Sequence, residues 1–231
     1  MSMHTGHRQR LKEQFLKNGL DGFTEFQVLE LLLFYCIPRI DTNPIAHRLI
    51  QKFGSLDQVL EASATELMEV EGVGENAATF LTLLTETSRY YLVRRSEKVK
   101  VLNTVAECGH YMLPFFHGRK NETVFLLCLD AKCKVIACRN LGEGSVNSAS
   151  VPIRRIVETA LMCKAVSVVL AHNHPSGLAL PSHEDVISTR RTAAALAAVE
   201  ITLVDHIIIA DDDFVTLAQS GRYRPEDYCH G

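Results

Sequence analysis

The apolar segment Val166–Ala171 runs directly into His172-Asn173-His174-Pro175, and Ser182-His183-Glu184-Asp185 follows after a short loop. A short apolar run stopped by proline reads as a buried strand; Gly177 and Pro181 shape the loop, and Ser182 opens a helix. This unit commits its half of the chain to a sheet flanked by helices. Two residues apart on an extended chain, His172 and His174 point to the same face, with Cα atoms about 6.5–7 Å apart. Their imidazoles can converge on one ion, and Asp185, one turn into the helix, can swing back as a third ligand. Two histidines and a carboxylate, with a fourth position left for water, form a catalytic rather than a structural zinc pattern. Water on such an ion has a pKa of about 7, which supplies a nucleophile at neutral pH. Ser182-x-x-Asp185 is also an N-terminal capping box, and an acid in the first turn complements the helix dipole. The capping and ligand roles are compatible.

The chain changes period near its middle. From Arg8 to Leu92, apolar residues recur at helical steps: Leu11, Phe15 and Leu20; Phe26, Val28, Leu29 and Leu31–Leu33; Ile45, Ala46, Leu49, Ile50 and Phe53. Pro44 suits the first turn of a helix after Thr42-Asn43, Ser63-x-x-Glu66 reads as a capping box, and a last helix is expected over 75–93. Arg94–Lys100 is charged and aperiodic. Beyond it, helices are expected at 104–115, 152–163 and 182–199, and strands at 124–129, 135–138, 165–171, 201–210 and 214–217. The fold class is therefore α+β. An all-α domain over 1–95 is joined by a connector at 96–104 to an α/β domain over 105–231.

Composition excludes other classes. The 231 residues are 47% hydrophobic and 22% charged, enough to build cores and too apolar for global disorder. Lys+Arg number 24 against 27 Asp+Glu, a net charge of −3, which is no footprint of a non-specific nucleic-acid binder. No apolar run reaches the roughly 18 residues that span a bilayer. The polar start Met1–Arg10 fits no signal peptide. A cytoplasmic protein with no membrane partner is expected. The 7 cysteines, odd in number and without C-x-x-C, form no disulfide framework or four-cysteine zinc site, and several lie in apolar segments as small buried hydrophobes.

Gly72-Val73-Gly74 sets a tight turn between two helices, where backbone N–H groups can face a phosphate. The turn is similar to the helix-hairpin-helix motif of sequence-independent DNA-binding proteins. Glu69, Glu71 and Glu75 around it would repel a phosphate backbone, so a purely structural hairpin and weak DNA contact both stand.

The string His172-x-His174-Pro175, Ser182 and Asp185 resembles the JAMM (MPN+) metalloprotease motif, whose domain is cytidine-deaminase-like. Gly144-Ser145-Val146-Asn147, Pro152-Ile153-Arg154-Arg155-Ile156, His174-Pro175-Ser176-Gly177 and Asp205-His206-Ile207-Ile208-Ile209 narrow the resemblance to the RadC-like branch. Phe53-Gly54-Ser55-Leu56 and the glycine hairpin look like that family's N-terminal region, so the resemblance covers nearly the whole chain. At 153–155 the chain reads Ile-Arg-Arg where the family pattern is Pro-Arg-Glu. The resemblance implies a zinc metalloprotease that cleaves peptide or isopeptide bonds. One Zn2+ per chain is held by His172, His174 and Asp185, with Ser182 stabilising the oxyanion and an upstream Glu as general base. It also carries a DNA-repair label, whose alternative reading is an accessory protein that binds DNA weakly through Gly72, Val73 and Gly74.

Glu122 matches the family position of the base, and Glu143, read as a loop carboxylate, competes with it. Asp205-His206 interrupts the apolar run Leu203–Ile209; one of the pair can sit behind the site and orient a ligand imidazole, or His206 can be a satisfied core histidine. Asp211-Asp212-Asp213 reads as a solvated hairpin turn. The letters His172-Asn173-His174 match the HNH nucleases only typographically, because those nucleases disperse their three residues over a ββα module.

Overall fold

Reciprocal capping boxes start four of the helices, at Thr24/Gln27, Ser63/Glu66, Thr104/Glu107 and Ser182/Asp185. Each satisfies two of the amides that a helix start leaves without partners. In the computed structural model, which describes residues 3–144, 151–175 and 177–228, the first six helices are α1 (Met3–Asn18), α2 (Glu25–Cys36), α3 (Asn43–Phe53), α4 (Leu56–Glu61), α5 (Ala64–Met68) and α6 (Glu75–Ser96). Ser145, Val146, Asn147, Ser176 and Cys229 lie outside the described residues.

The chain divides into two compact units, Met1–Ser88 and Arg89–Gly231. The first is all-α around Leu29, Leu33, Ile45, Leu49, Val59, Leu67, Val73 and Leu81. In its glycine turn, Gly72 has φ +93°, and a Cβ there would lie 2.9 Å from Ile45 Cδ1. Both facts demand glycine. Gly74 has open space around its Cβ position, and Val73 is buried. The helical period thus reports a real core, and packing accounts for the glycine at position 72.

The second unit adds α7 (Val105–Phe116), β1 (Glu122–Leu129), β2 (Val135–Gly144), α8 (Ile153–Met162), β3 (Ser167–Asn173), α9 (His183–Ala197), β4 (Thr202–Ala210) and β5 (Asp213–Thr216). Together with the helical first unit this is a mixed α+β chain. The sheet order is β2-β1-β3-β4-β5, antiparallel except for the β3–β4 pair. Strand alternation divides its side chains between two faces. Leu126, Cys128, Val168, Leu170 and Ile208 pack on Ile156, Ala160, Ala193 and Leu196 of α8 and α9. Phe125, Leu127, Val169, Ala171 and Ile207 pack on Cys108, Met112, Phe115 and Phe116 of α7.

Two details differ from the sequence pattern. Residues 100–102 belong to the second unit: Val135 N–H donates to the Lys100 carbonyl (2.8 Å), Leu102 N–H donates to the Cys133 carbonyl (2.9 Å), and Leu102 is buried. β2 extends to Gly144, well past Cys138, because its ladder with β1 continues to the pair Glu122–Gly144. Its edge position leaves Arg139, Asn140 and Glu143 exposed, so hydropathy does not mark it. Glu143 is therefore a strand residue and not a loop carboxylate.

Among the described residues no helix is long and apolar enough to cross a membrane.

Candidate metal centre

Strand β3 ends against α9, and that junction gathers the titratable groups. His172 shares its strand face with Val168 and Leu170, so it points to the α8/α9 side, and His174 follows one step beyond the strand. Their Nε2 atoms lie 2.9 Å apart. Asp185 brings Oδ1 to 3.3 Å from His172 Nε2 and Oδ2 to 3.5 Å from His174 Nε2. Bonds of 2.0–2.1 Å in a tetrahedral zinc site put ligand atoms roughly 3.3 Å apart. The three side chains match that spacing.

The neighbours of these groups fix how they present themselves. Asp185 is the last member of the α9 capping box: its Oδ2 accepts from the Ser182 amide and hydroxyl, both at 2.7 Å, which leaves Oδ1 turned to His172. Ser182 thereby donates its hydroxyl proton to the carboxylate it caps. His174 Nδ1 lies 3.1 Å from the Leu178 carbonyl. A carbonyl only accepts, so Nδ1 carries the proton and the Nε2 lone pair of neutral His174 faces His172. Nitrogen lone pairs beside a carboxylate call for a proton or a cation among them, and the donor set fits zinc.

The titration shifts agree. Burial pushes the Asp185 carboxyl up, but when the imidazoles carry that proton, hydrogen bonds from His172 and His174, the Ser182 hydrogen bond and the His172 charge hold it far below the usual range. The hydrogen bond to Asp185 raises His174 above its ordinary value against burial, helped by the Leu178 carbonyl and the charges of Asp185 and Glu122.

Glu122 sits two residues before Val124, the β1 partner of His172, so alternation puts it on the His172 face. Glu143 pairs with Thr123 and takes the opposite face. There it accepts from Asn121 Nδ2 at 2.7 Å and lies 3.7 Å from Arg119 Nη1. The sheet thus separates the two carboxylates.

His206, fully enclosed between strand and helix, stands behind His172, with its Nε2 2.8 Å from His172 Nδ1. Its Nδ1 is 2.6 Å from Thr189 Oγ1, and burial, foremost, drives its pKa well below 6.5. Asp205 points elsewhere: its Oδ1 accepts the His206 and Ala218 amides, and burial raises its carboxyl. Sequence reasoning left His206 open and missed Thr189 and Asn173. The spacing of Thr189, four residues after Asp185 on one helix face, was the available signal. Asp211 and Asp212 form the exposed turn before β5. The glycine hairpin belongs to the other unit.

Comparison with known proteins bears on the same residues. The model of the RadC-like JAB domain matches residues 102–222, which include every ligand candidate and Glu122. A UPF0758 protein of Fusobacterium nucleatum is 36% identical over 223 residues, 94% of this chain and 96% of that protein. UPF0758 proteins of Ruegeria pomeroyi and Photobacterium profundum are 36% and 34% identical over 204 and 212 residues, covering 88% and 92% of this chain and 91% and 95% of theirs. The match spans both units, and the strand–loop–helix cluster lies inside the recognised domain: the chain belongs to the RadC family.

Proposed function

We propose that this protein is a zinc-dependent hydrolase of peptide or isopeptide bonds, with His172, His174 and Asp185 holding one ion per chain. The observation that carries this reading is the convergence of two imidazole Nε2 atoms and a carboxylate at one strand end. When bound, zinc lowers the pKa of a coordinated water to about 7 and polarises a carbonyl oxygen.

The chain's own residues do the rest. Glu122 accepts a proton from the attacking water and returns it to the leaving amine, a role its place on the His172 face supports. Ser182 releases its hydroxyl from Asp185 and donates it to the oxygen that gains charge at the attacked carbonyl. The exposed Leu178 and Leu180 lie in the loop between β3 and α9 and give a peptide chain an apolar rest. Thiolates are not needed.

The test is metal analysis of the purified protein together with a screen of peptide and isopeptide substrates, on the natural chain and on Glu122→Gln. Metal in both proteins with hydrolysis in the natural chain alone is the expected result. A zinc-loaded natural chain that cleaves no amide would overturn the proposal.

A further inference from the structure

We infer that Thr189 and His206 form a one-way hydrogen-bond relay that fixes the tautomer of His172 and thereby aims its Nε2 lone pair at the metal. The inference rests on the metal site proposed above, and it concerns residues to which that proposal gives no part.

The direction of the relay follows from its last acceptor. Thr189 Oγ1 lies 2.6 Å from the backbone carbonyl of Asp185. A carbonyl oxygen has no proton to offer, so the single proton of the Thr189 hydroxyl must lie in that contact. The contact of 2.6 Å between Thr189 Oγ1 and His206 Nδ1 must then be made by a proton on Nδ1. Neutral His206 is left with a bare Nε2, which can only accept. The 2.8 Å contact to His172 is consequently made by the His172 Nδ1 proton. His172 keeps one lone pair, on Nε2, and that atom is 2.9 Å from His174 Nε2 and 3.3 Å from Asp185 Oδ1.

The reverse direction fails on the same distances. Were Thr189 to donate to His206, two oxygens would face each other at 2.6 Å without a proton between them. Water does not offer an alternative partner, because His172, Thr189 and His206 are buried at 3%, 0% and 3% exposure.

Two features make this more than satisfied core chemistry. The relay runs from the imidazole beside the Asp185 carboxylate to the backbone carbonyl of Asp185, so it closes a ring through β3, β4 and α9. The outer partner of a metal-binding histidine is usually a carboxylate or a carbonyl. Here it is a neutral imidazole, which orders the ligand without placing a second negative charge in a buried layer. Thr189 and His206 are positioning residues; neither reaches the ion.

The experiment uses the full chain with zinc alone as the probe, reading affinity by chelator competition. The ring nitrogens of His172 are followed by 15N NMR on the metal-free protein. Loss of such an outer partner costs about 10–100-fold in metal affinity. Thr189→Val should show that loss together with a weakened His172 Nδ1–H signal. Thr189→Ser, which keeps the hydroxyl, should stay within about threefold of the natural chain. His206→Gln, with an acceptor oxygen and a donor amide, should bind zinc better than His206→Leu, and this pair decides the matter if Thr189→Val does not fold. Natural affinity and an undisturbed Nδ1–H signal in Thr189→Val would overturn the relay, as would equal damage from Thr189→Ser. A natural chain that holds zinc and hydrolyses nothing would end the proposed function and leave this result standing. A natural chain that takes up no zinc would end the metal reading, and the ring-proton signal alone would then decide the relay.

Discussion

Asn173 Oδ1 accepts the Thr123 amide at 2.7 Å, so a side chain takes over where the ladder between β1 and β3 stops at the pair Val124–His172. Its Nδ2 donates to the carbonyls of Asn121 at 3.2 Å and Arg119 at 3.4 Å. Asn173 lies between two ligand candidates yet points to the opposite face of the sheet. It ties the residues on both sides of Glu122 to the strand that carries the histidines.

Asn173→Ala should therefore separate metal binding from hydrolysis. His172 and His174 remain, so zinc content should hold, while a displaced Glu122 should cost about 10²-fold in kcat. The orphaned Thr123 amide should lower stability by about 1–3 kcal/mol. Denaturant melts, metal analysis and amide hydrolysis on one preparation check all three, and unchanged kcat would refute the positioning role.

The two glutamates make opposite forecasts. Glu122→Gln should keep zinc and fold and lose about 10²–10⁴-fold in hydrolysis, the range of general acid–base catalysis. Glu143→Gln should leave hydrolysis nearly unchanged. It removes an ion pair with Arg119 in which the glutamate is 46% exposed, and such pairs are worth about 0–1 kcal/mol. A dead, zinc-loaded Glu143→Gln beside an active Glu122→Gln would place the base on the other face.

Zinc uptake should saturate at about one ion per chain and should follow pH through His174. Its pKa is raised above 6.5 chiefly by Asp185, and a ligand nitrogen must be unprotonated to bind. Affinity should be full above that raised pKa and fall about tenfold per pH unit below it, with onset above pH 6.5. Asp185, held far below the usual carboxylate range, stays ionised throughout. His174→Ala should remove most of the zinc, and full occupancy in a folded His172→Ala/His174→Ala protein would end the site.

Much of this was legible in the chain because the responsible signals are local. The S-x-x-D cap, the proline after His174 and the two-residue histidine spacing each act within a turn or a strand, and the structure brings those residues together. The helical period of the first unit reports its buried face for the same reason. What escaped is set by register. The apolar pattern stops at Cys138 because an edge strand is largely solvated and carries no alternation, and it leaves Glu143 outside the strand. Thr189 and Asn173 read as ordinary polar residues, because their partners lie 17 and 50 positions away: packing of α9 on the sheet brings Thr189 to His206, and pairing of β1 with β3 brings Asn173 to Thr123. The resemblance to the RadC-like branch carried Glu122, which period and spacing alone could not have separated from a solvated charge.

The glycine turn of the first unit offers a last test, because its two glycines do different work. Gly72 sits at φ +93°, and an added Cβ would meet Ile45 Cδ1 at 2.9 Å and Cγ1 at 3.0 Å. Gly72→Ala should cost about 1–3 kcal/mol through backbone strain and overpacking. Gly74 has no atom within 4 Å of its Cβ position. Its carbonyl accepts from Ala77 and Ala78 at the start of α6, where glycine caps better than alanine, so alanine there should cost about 0.5 kcal/mol. Packing thus forecasts a large difference between the two variants in denaturant unfolding. Backbone amides that bind a phosphate forecast something else: Gly74→Ala, though stably folded, would weaken salt-dependent DNA retention as much as Gly72→Ala. Unequal stability with no change in DNA retention for Gly74→Ala is the expected result, and it assigns the turn to the core of its own unit.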